Sequence, residues 1–289
     1  MRFRFIDNNK KRFRIVKMAE VLGVTKSGYY AWLKRQTKDK PLELDTKDGL
    51  CELIIQIFRD SRFTYGSRRI MGELTNKYKI QISRERVRRL MDKLSIHSMT
   101  NKKYKATTNS KHNYPVAENI LNRDFYTEHP CQKMVSDITY VPTDEGWVYV
   151  AAVMDLYGRK IVGISMGDRM TQDLTIGALN DAIAHSGNVK GCILHSDRGS
   201  QYCANRYQNY LASYGFICSM SRKGNCWDNA PMESFWGKLK QEWLNEQHFK
   251  TREEAIKAVF EYVWVFYNRK RVSSVNGYLT PDEYYSQYA

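Results

Sequence analysis

The sequence predicts an α/β protein in two parts: a basic all-α region built from helix-turn-helix units, then a five-stranded mixed sheet with flanking helices. Three observations predict it. From residue 131 to residue 267, short β-rich runs and amphipathic helical runs succeed one another as in a layered α/β core. Ahead of them, two stretches read as helix, glycine-bearing turn and helix. The charge is also divided. Residues 1–125 carry 29 Lys+Arg against 13 Asp+Glu, net +16, whereas residues 126–289 carry 17 against 18, net −1, which together give the +15 of the whole chain. A basic part that binds a polyanion and a near-neutral part with another task fit that division.

The bulk properties narrow the class. With 289 residues, 42% of them apolar, and only 6 Pro, the chain can bury a sizeable core. The six cysteines (Cys51, Cys131, Cys192, Cys203, Cys218, Cys226) form no CxxC pair, and no His pair completes a zinc set. They read as buried or free thiols in a reducing cytosol. Met1–Arg14 is basic but lacks the apolar core of a signal peptide, and no run of 18 apolar residues occurs. The expected setting is cytoplasmic, with no membrane partner.

In chain order, Ile15, Met18, Ala19 and Leu22 recur at helical spacing and Gly23 breaks the pattern. Thr25 or Ser27 can cap a second helix carrying Tyr29, Tyr30, Trp32 and Leu33. A plain helical hairpin has the same pattern, but the basic flanks Lys10–Arg14 and Lys34–Lys40 favour DNA. Residues 36–49 read as a polar linker. A second helical unit follows: Leu50–Phe58, the turn Phe63–Gly66, then Ser67–Tyr78 with Arg68 and Arg69 in its first turns. Ser83–Leu94 turns Val87, Leu90, Met91 and Leu94 inward and leaves Arg84, Arg88 and Arg89 to solvent, where they suit phosphate contacts. Residues 99–123 hold five basic groups among Thr, Asn and Ser, an extended linker able to track a DNA backbone or else plain disorder. The expected division is 1–45, 46–98, the linker 99–125, a core over 126–248, and a C-terminal helix and tail over 249–289.

In the core, Cys131–Val141 alternates as a strand with Asp137 in its middle, a costly place for a charge unless it is paired or metal-bound. Trp147–Leu156 and Lys160–Met166 are two more strands joined by a hairpin-like turn, and Thr171–His185 is an amphipathic helix. Gly191–Ser196 is a short strand with Asp197 just past its C-terminal end, where open α/β sheets bind ligands. One helix is expected from there to Tyr214, then a fifth strand, Phe216–Met220. The basic loop Ser221–Asn225 leads to a helix capped by Asp228 or Asn229, with Pro231 and Glu233 in its first turn. Met232, Phe235, Leu239 and Trp243 make its buried stripe, and Glu233 and Lys240 share another face. A last helix, Arg252–Tyr267, precedes a tail.

Three carboxylates from two strands and a helix suit one chemistry. Phosphodiester cleavage without a covalent enzyme nucleophile needs an activated attacking oxygen and a stabilised leaving oxygen, and two Mg²⁺ ions about 3.5–4 Å apart supply both. Mg²⁺ takes hard oxygen ligands, so Asp137, Asp197 and Glu233 are the expected metal ligands and catalytic residues.

Taken in order, SDITY, HSDRGSQY and WDNAPMESFWGKLK resemble the DDE transposase/integrase core, and most nearly the second-reading-frame protein of the IS-three family of insertion-sequence transposases. Asp197 and Glu233 are separated by 35 residues, the spacing of that signature. MAEVLGVTKSGYYAWLKR, FTYGSRRI with ERVRRLM, and FYNRKR with GYLTP extend the resemblance along almost the whole chain. It implies an RNase H-like fold and an enzyme that nicks element ends and joins the freed 3′-hydroxyl to another phosphodiester. It also implies Mg²⁺ held by the three acids, with Mn²⁺ substituting, and Lys240 projecting toward the DNA end. Terminal inverted repeats and target DNA, a homo-oligomer on DNA and an upstream-frame fusion partner are the implied partners. The alternative is a catalytically incomplete or domesticated transposase acting as a DNA-binding regulator. DNA contacts are expected from Lys238, Lys240, Arg222, Lys223, Arg198, Asn229, Arg68, Arg69, Arg84, Arg88, Arg89, Lys102, Lys103 and Lys105. The chain departs from the family where Met134-Val135 replaces a Trp before the first Asp, and where Val272 and Val275-Asn276 replace a His and a Leu.

Overall fold

A computed structural model describes residues 2–10, 13–38, 49–98 and 115–288. The linker lysines Lys102, Lys103 and Lys105 lie outside the described residues, as does most of the linker at 36–49. The chain divides into two compact units, Met1–Ile55 and Gln56–Ala289.

The first unit holds α1 (Arg2–Asn9), α2 (Ile15–Val21) and α3 (Lys26–Lys38) around Ile6, Met18, Ala19 and Tyr29. The apolar spacing predicts α2 and α3, with Gly23 at φ +62° between them and the Thr25 hydroxyl accepting the Gly28 N–H at 3.0 Å. It does not predict α1, whose residues read only as a basic flank. That helix is fixed from outside its own sequence: Ile6 is fully buried, and the Tyr29 hydroxyl donates to Asp7 at 2.8 Å. Burial pushes the Tyr29 hydroxyl up to about 12. The division between the units falls inside α4 (Leu50–Asp60).

In the second unit, α5 (Ser67–Asn76) and α6 (Arg84–Lys93) precede the sheet, and the Ser83 hydroxyl caps α6 by accepting the Arg86 N–H. Five strands follow as the pattern predicts: β1 (Lys133–Thr143), β2 (Gly146–Asp155), β3 (Lys160–Gly167), β4 (Ile193–Ser196) and β5 (Ile217–Met220). Their order is β3-β2-β1-β4-β5. β2 runs antiparallel to β1 and β3, β4 is parallel to β1, and β5 is parallel to β4, so the sheet is mixed and has the RNase H-like arrangement. β4 meets β1 only at Lys133–Val135, which leaves the edge of β1 open from Ser136 onward on that side.

Alternation along the strands builds two cores. Val135, Val141, Val148, Val150 and Met154 pack under α10 (Ala230–Leu239) and α11 (Arg252–Phe260). Met134, Ala151, Val153 and Val162 pack under α7 (Gln172–Ser186), α8 (Ser200–Cys203) and α9 (Asn205–Ser213). Gly163 permits the closest approach on that second face, since a Cβ there would stand 2.1 Å from the Ala178 carbonyl oxygen.

Three elements depart from the pattern. The single helix expected to Tyr214 is two, because Ala204 is extended (φ −65°, ψ 137°), and the Gln208 side chain takes up the Tyr202 carbonyl freed by the break. α10 and α11 each continue in π-helical geometry, over Lys240–Leu244 and Glu261–Tyr267. The tail forms a further helix, α12 (Pro281–Tyr285), started by a capping box of Thr280 and Glu283.

The α5 region is joined to the C-terminal part of this unit by a buried polar lock. Glu242, in the π-helical turn after α10, accepts from Arg271 at 2.6 and 2.7 Å, from Arg69 at 3.1 Å and from the Tyr262 hydroxyl at 3.1 Å. The Tyr65 hydroxyl donates to the Lys270 carbonyl and accepts the Val272 N–H at 2.7 Å. The Arg62 guanidinium lies 3.4 Å from the centre of the Trp243 ring. A Cβ on Gly72 would stand 2.3 Å from the Tyr278 ring, so the backbone of α5 rests directly on that ring. Arg69, expected at DNA, is therefore a structural cation, held inward by Glu242.

Candidate active site

The fold brings the three predicted acids toward one place from three elements. Asp137 sits in mid-β1 opposite Ala152 of β2, on the stretch whose other edge is open. Its carboxylate accepts the indole N–H of Trp236, on α10, at 3.1 Å. Asp197 follows the last residue of β4, and its Oδ1 accepts the Gly199 N–H at 2.8 Å, which orients the carboxylate at the strand end. Glu233 is in the first turn of α10. That helix lies over the first core because Met232, Phe235 and Leu239 are fully buried in it.

The acids act on one another. Burial raises the Asp137 carboxyl well above the usual carboxylate range, and the negative charges of Asp197 and then Glu233 push the same way, against the Ile138 N–H and the Trp236 indole. Tyr202, fully buried and hydrogen-bonded to Ser136 at 2.9 Å, is raised by burial and then by charges that include Asp137 and Asp197. Lys240 is shifted down by burial, opposed by the charge of Asp137, and its ammonium lies 5.1 Å from the Tyr140 ring centre. A cation thus adjoins a cluster of like-charged carboxylates.

The donor set fits a hard divalent cation: carboxylate oxygens only, at a position where their mutual repulsion would be relieved by one. The buried Oδ1 of Asn229 has no hydrogen-bond partner, while its amide donates to the Ser136 carbonyl next to Asp137 at 3.2 Å. As placed, no group of three or more His, Cys, Asp or Glu among the described residues forms a ready cage for a metal ion.

The expected DNA contacts fall into two sets. Arg68, Arg84 and Lys223 are exposed. Others are engaged within the chain. Arg88 pairs with Glu85 at 2.8 Å and Asp92 at 3.2 Å, and Arg89 with Glu85 at 3.4 Å. Arg198 donates to the Ser221 carbonyl. Burial pushes the Lys238 ammonium down to about 7, helped by the charges of Arg271, Arg159 and Arg69. Asn229 is buried against β1 instead of lying at the surface.

Sequence reasoning missed the device that holds the loop before α10. Asp228 is fully buried and accepts from the Arg222 N–H and guanidinium at 2.9, 2.9 and 2.7 Å, from Arg123 at 2.8 Å and from Asn119 at 2.9 Å. Those donors, Arg222 first, hold its carboxyl far below the usual range. Neither Asp228 nor Asn229 therefore caps α10 with its side chain; a 3₁₀ turn, Cys226–Asn229, leads into the helix instead. The partners lie 6, 105 and 109 residues from Asp228, and only the nearest, Arg222, left a local signal.

Comparison with known proteins agrees with this arrangement. Residues 127–226 and 233–288 match integrase core domain families, and residues 45–104 match an HTH-like domain. The chain is 44% identical over 272 residues to the insertion element IS600 uncharacterized 31 kDa protein of Shigella sonnei, covering 94% of this chain and 98% of that one. It is 36% identical over 285 residues to transposase InsF for insertion sequence IS3A of Escherichia coli K12, covering 98% of each. Among solved structures, it is similar to the magnesium-bound HTLV-2 integrase catalytic core domain, with a TM-score of 0.42, 18% identity, and coverage of 55% of this chain and 99% of that one. The family assignment rests on the sequence matches.

Proposed function

Since the chain belongs to the IS-three family of DDE transposases, we propose that it is a polynucleotidyl transferase that nicks DNA at insertion-sequence ends and transfers the freed 3′-hydroxyl to target DNA. The observation that carries this reading is the placement of Asp137 in mid-β1, Asp197 just past β4 and Glu233 in the first turn of α10, with the charges of Asp197 and Glu233 both acting on the Asp137 carboxyl. In this reading they hold two Mg²⁺ ions, with Mn²⁺ able to substitute. When bound, the ions activate the attacking oxygen and stabilise the leaving one. Trp236 orients Asp137, and Gly199 orients Asp197. Lys240 presents a cation to the phosphate beside the acids. Arg68, Arg84 and Lys223, exposed on the surface, supply phosphate contacts. Handling two ends at once calls for a homo-oligomer on DNA, in the cytoplasm.

The test is incubation with end-containing DNA and Mg²⁺ or Mn²⁺. Nicking by the wild type, abolished by Asp197→Asn and by Glu233→Gln while DNA binding persists, supports the reading. Binding without nicking by the wild type would make the chain an end-binding regulator. Nicking that survives either substitution would mean other groups carry the chemistry.

A further inference from the structure

We propose that Trp227 is a stacking platform for a DNA base left unpaired beside the strand break. The proposal rests on the reading of DNA as substrate and adds a contact to it. Trp227 is 68% exposed, against 47% for Trp147, the other tryptophan with a large exposed surface among the described residues, which leaves an indole face available to a ligand. Each of the other five tryptophans has an aromatic neighbour: Trp32 has Phe3 and Tyr29, Trp147 has Tyr140, Trp236 has Phe235, Trp243 has Tyr262 and Trp264 has His185. Trp227 has none among the described residues.

Its backbone is nevertheless held. It lies in the 3₁₀ turn Cys226–Asn229, and the next two residues are both anchored. Asp228 is buried in its ring of Arg222, Arg123 and Asn119, and Asn229 donates to the Ser136 carbonyl, one residue from Asp137. An exposed indole is thus carried on a held turn beside β1 at Asp137, six residues ahead of Glu233. A turn already held loses little backbone freedom on binding. Lys223, exposed in the same loop, gives the surroundings a positive charge that suits a nucleic acid strand. The face of an indole is sequence-tolerant toward bases, which suits a group at a cut site better than a reader of sequence.

The test uses two probes of one sequence, a fully paired duplex and a forked duplex whose unpaired arm carries 5-iodouracil. Ultraviolet cross-linking of the wild type to the forked arm should map to Trp227 by mass spectrometry. Trp227→Ala should bind the forked probe about 5- to 150-fold more weakly, while Trp227→Phe should lose less. Binding of the paired duplex should be unchanged in both, and the melting temperature should change little, because the side chain is largely exposed. Cross-linking confined to other residues, or equal losses on both probes, would overturn the proposal and leave the transposase reading intact. A wild type that binds neither probe would overturn both.

Discussion

Two glutamates on one helical run meet opposite surroundings. Glu242, in the π-helical turn, is enclosed by Arg271, Arg69 and Tyr262, and these partners hold its carboxyl below the usual range in spite of burial. Glu233, nine residues earlier, adds its negative charge to that of Asp197 at Asp137, whose carboxyl burial first raises well above its usual range. The first arrangement stabilises the fold. The second sets like charges against one another at a buried carboxyl. The contrast separates an acid enclosed by cations from one that adds its charge to another acid's surroundings.

The largest expected effect falls on the Glu233 side. Glu233→Gln or Asp197→Asn should reduce nicking on the order of 10³-fold or more, and a thermal melt of the DNA-free protein should show unchanged or higher stability because a like charge has gone. A drop in melting temperature would mean these acids also serve the fold and would erase the contrast. Next comes Glu242→Gln, which leaves Arg69 and Arg271 without their countercharge. Denaturant unfolding should show a loss of about 3–5 kcal/mol, as for a broken buried ion pair. The sign with pH follows from the lowered carboxyl. Its contribution is present at neutral pH and disappears as pH falls through the folded-state value, so Glu242→Gln should flatten the acid limb of the stability curve.

Lys238 gives a smaller effect of opposite sign. Its ammonium is pushed down to about 7, whereas an unfolded lysine titrates near 10.4, so the charged form is penalised in the fold. That penalty is complete below about pH 7 and fades as pH rises toward 10. Lys238→Met should therefore stabilise the fold at pH 6 and have little effect at pH 10. A variant that instead loses DNA affinity at constant stability would return Lys238 to the DNA surface. The smallest effect separates Arg84 from Arg88. Arg84→Ala should weaken duplex binding and reduce the salt slope by about 1. Arg88→Ala, whose side chain already pairs with Glu85 and Asp92, should change binding less and leave stability nearly unchanged.

The sheet was legible because its strands alternate, and Asp137 stood out because a charge in such a strand needs a reason. The stripe Met232, Phe235, Leu239 and Trp243 placed α10 equally well, and all four are buried. Local pattern carries that information, but it does not carry the partner of a long cation. Arg69 and Arg222 look alike as surface arginines in the sequence, yet one reaches an acid 173 residues away and the other an acid six residues on. Helix α1 escaped for a related reason, since its anchor is the Tyr29 hydroxyl 22 residues later. The break at Ala204 and the two π-helical continuations are changes of backbone pitch that side-chain periodicity does not record.

The π-helical turn at Lys240–Leu244 has an implication for how this helix tolerates insertion and deletion. A π turn packs one residue more into a helix than α geometry would need for the same advance. Removing Gln241 would allow a regular α-helix and would leave Glu233 where it stands. Everything beyond the deletion would keep nearly the direction it has now, because the π turn makes the same advance with one residue more. One supernumerary residue is thus absorbed between the acid site and the arginine lock without turning either end of the helix away from its partners.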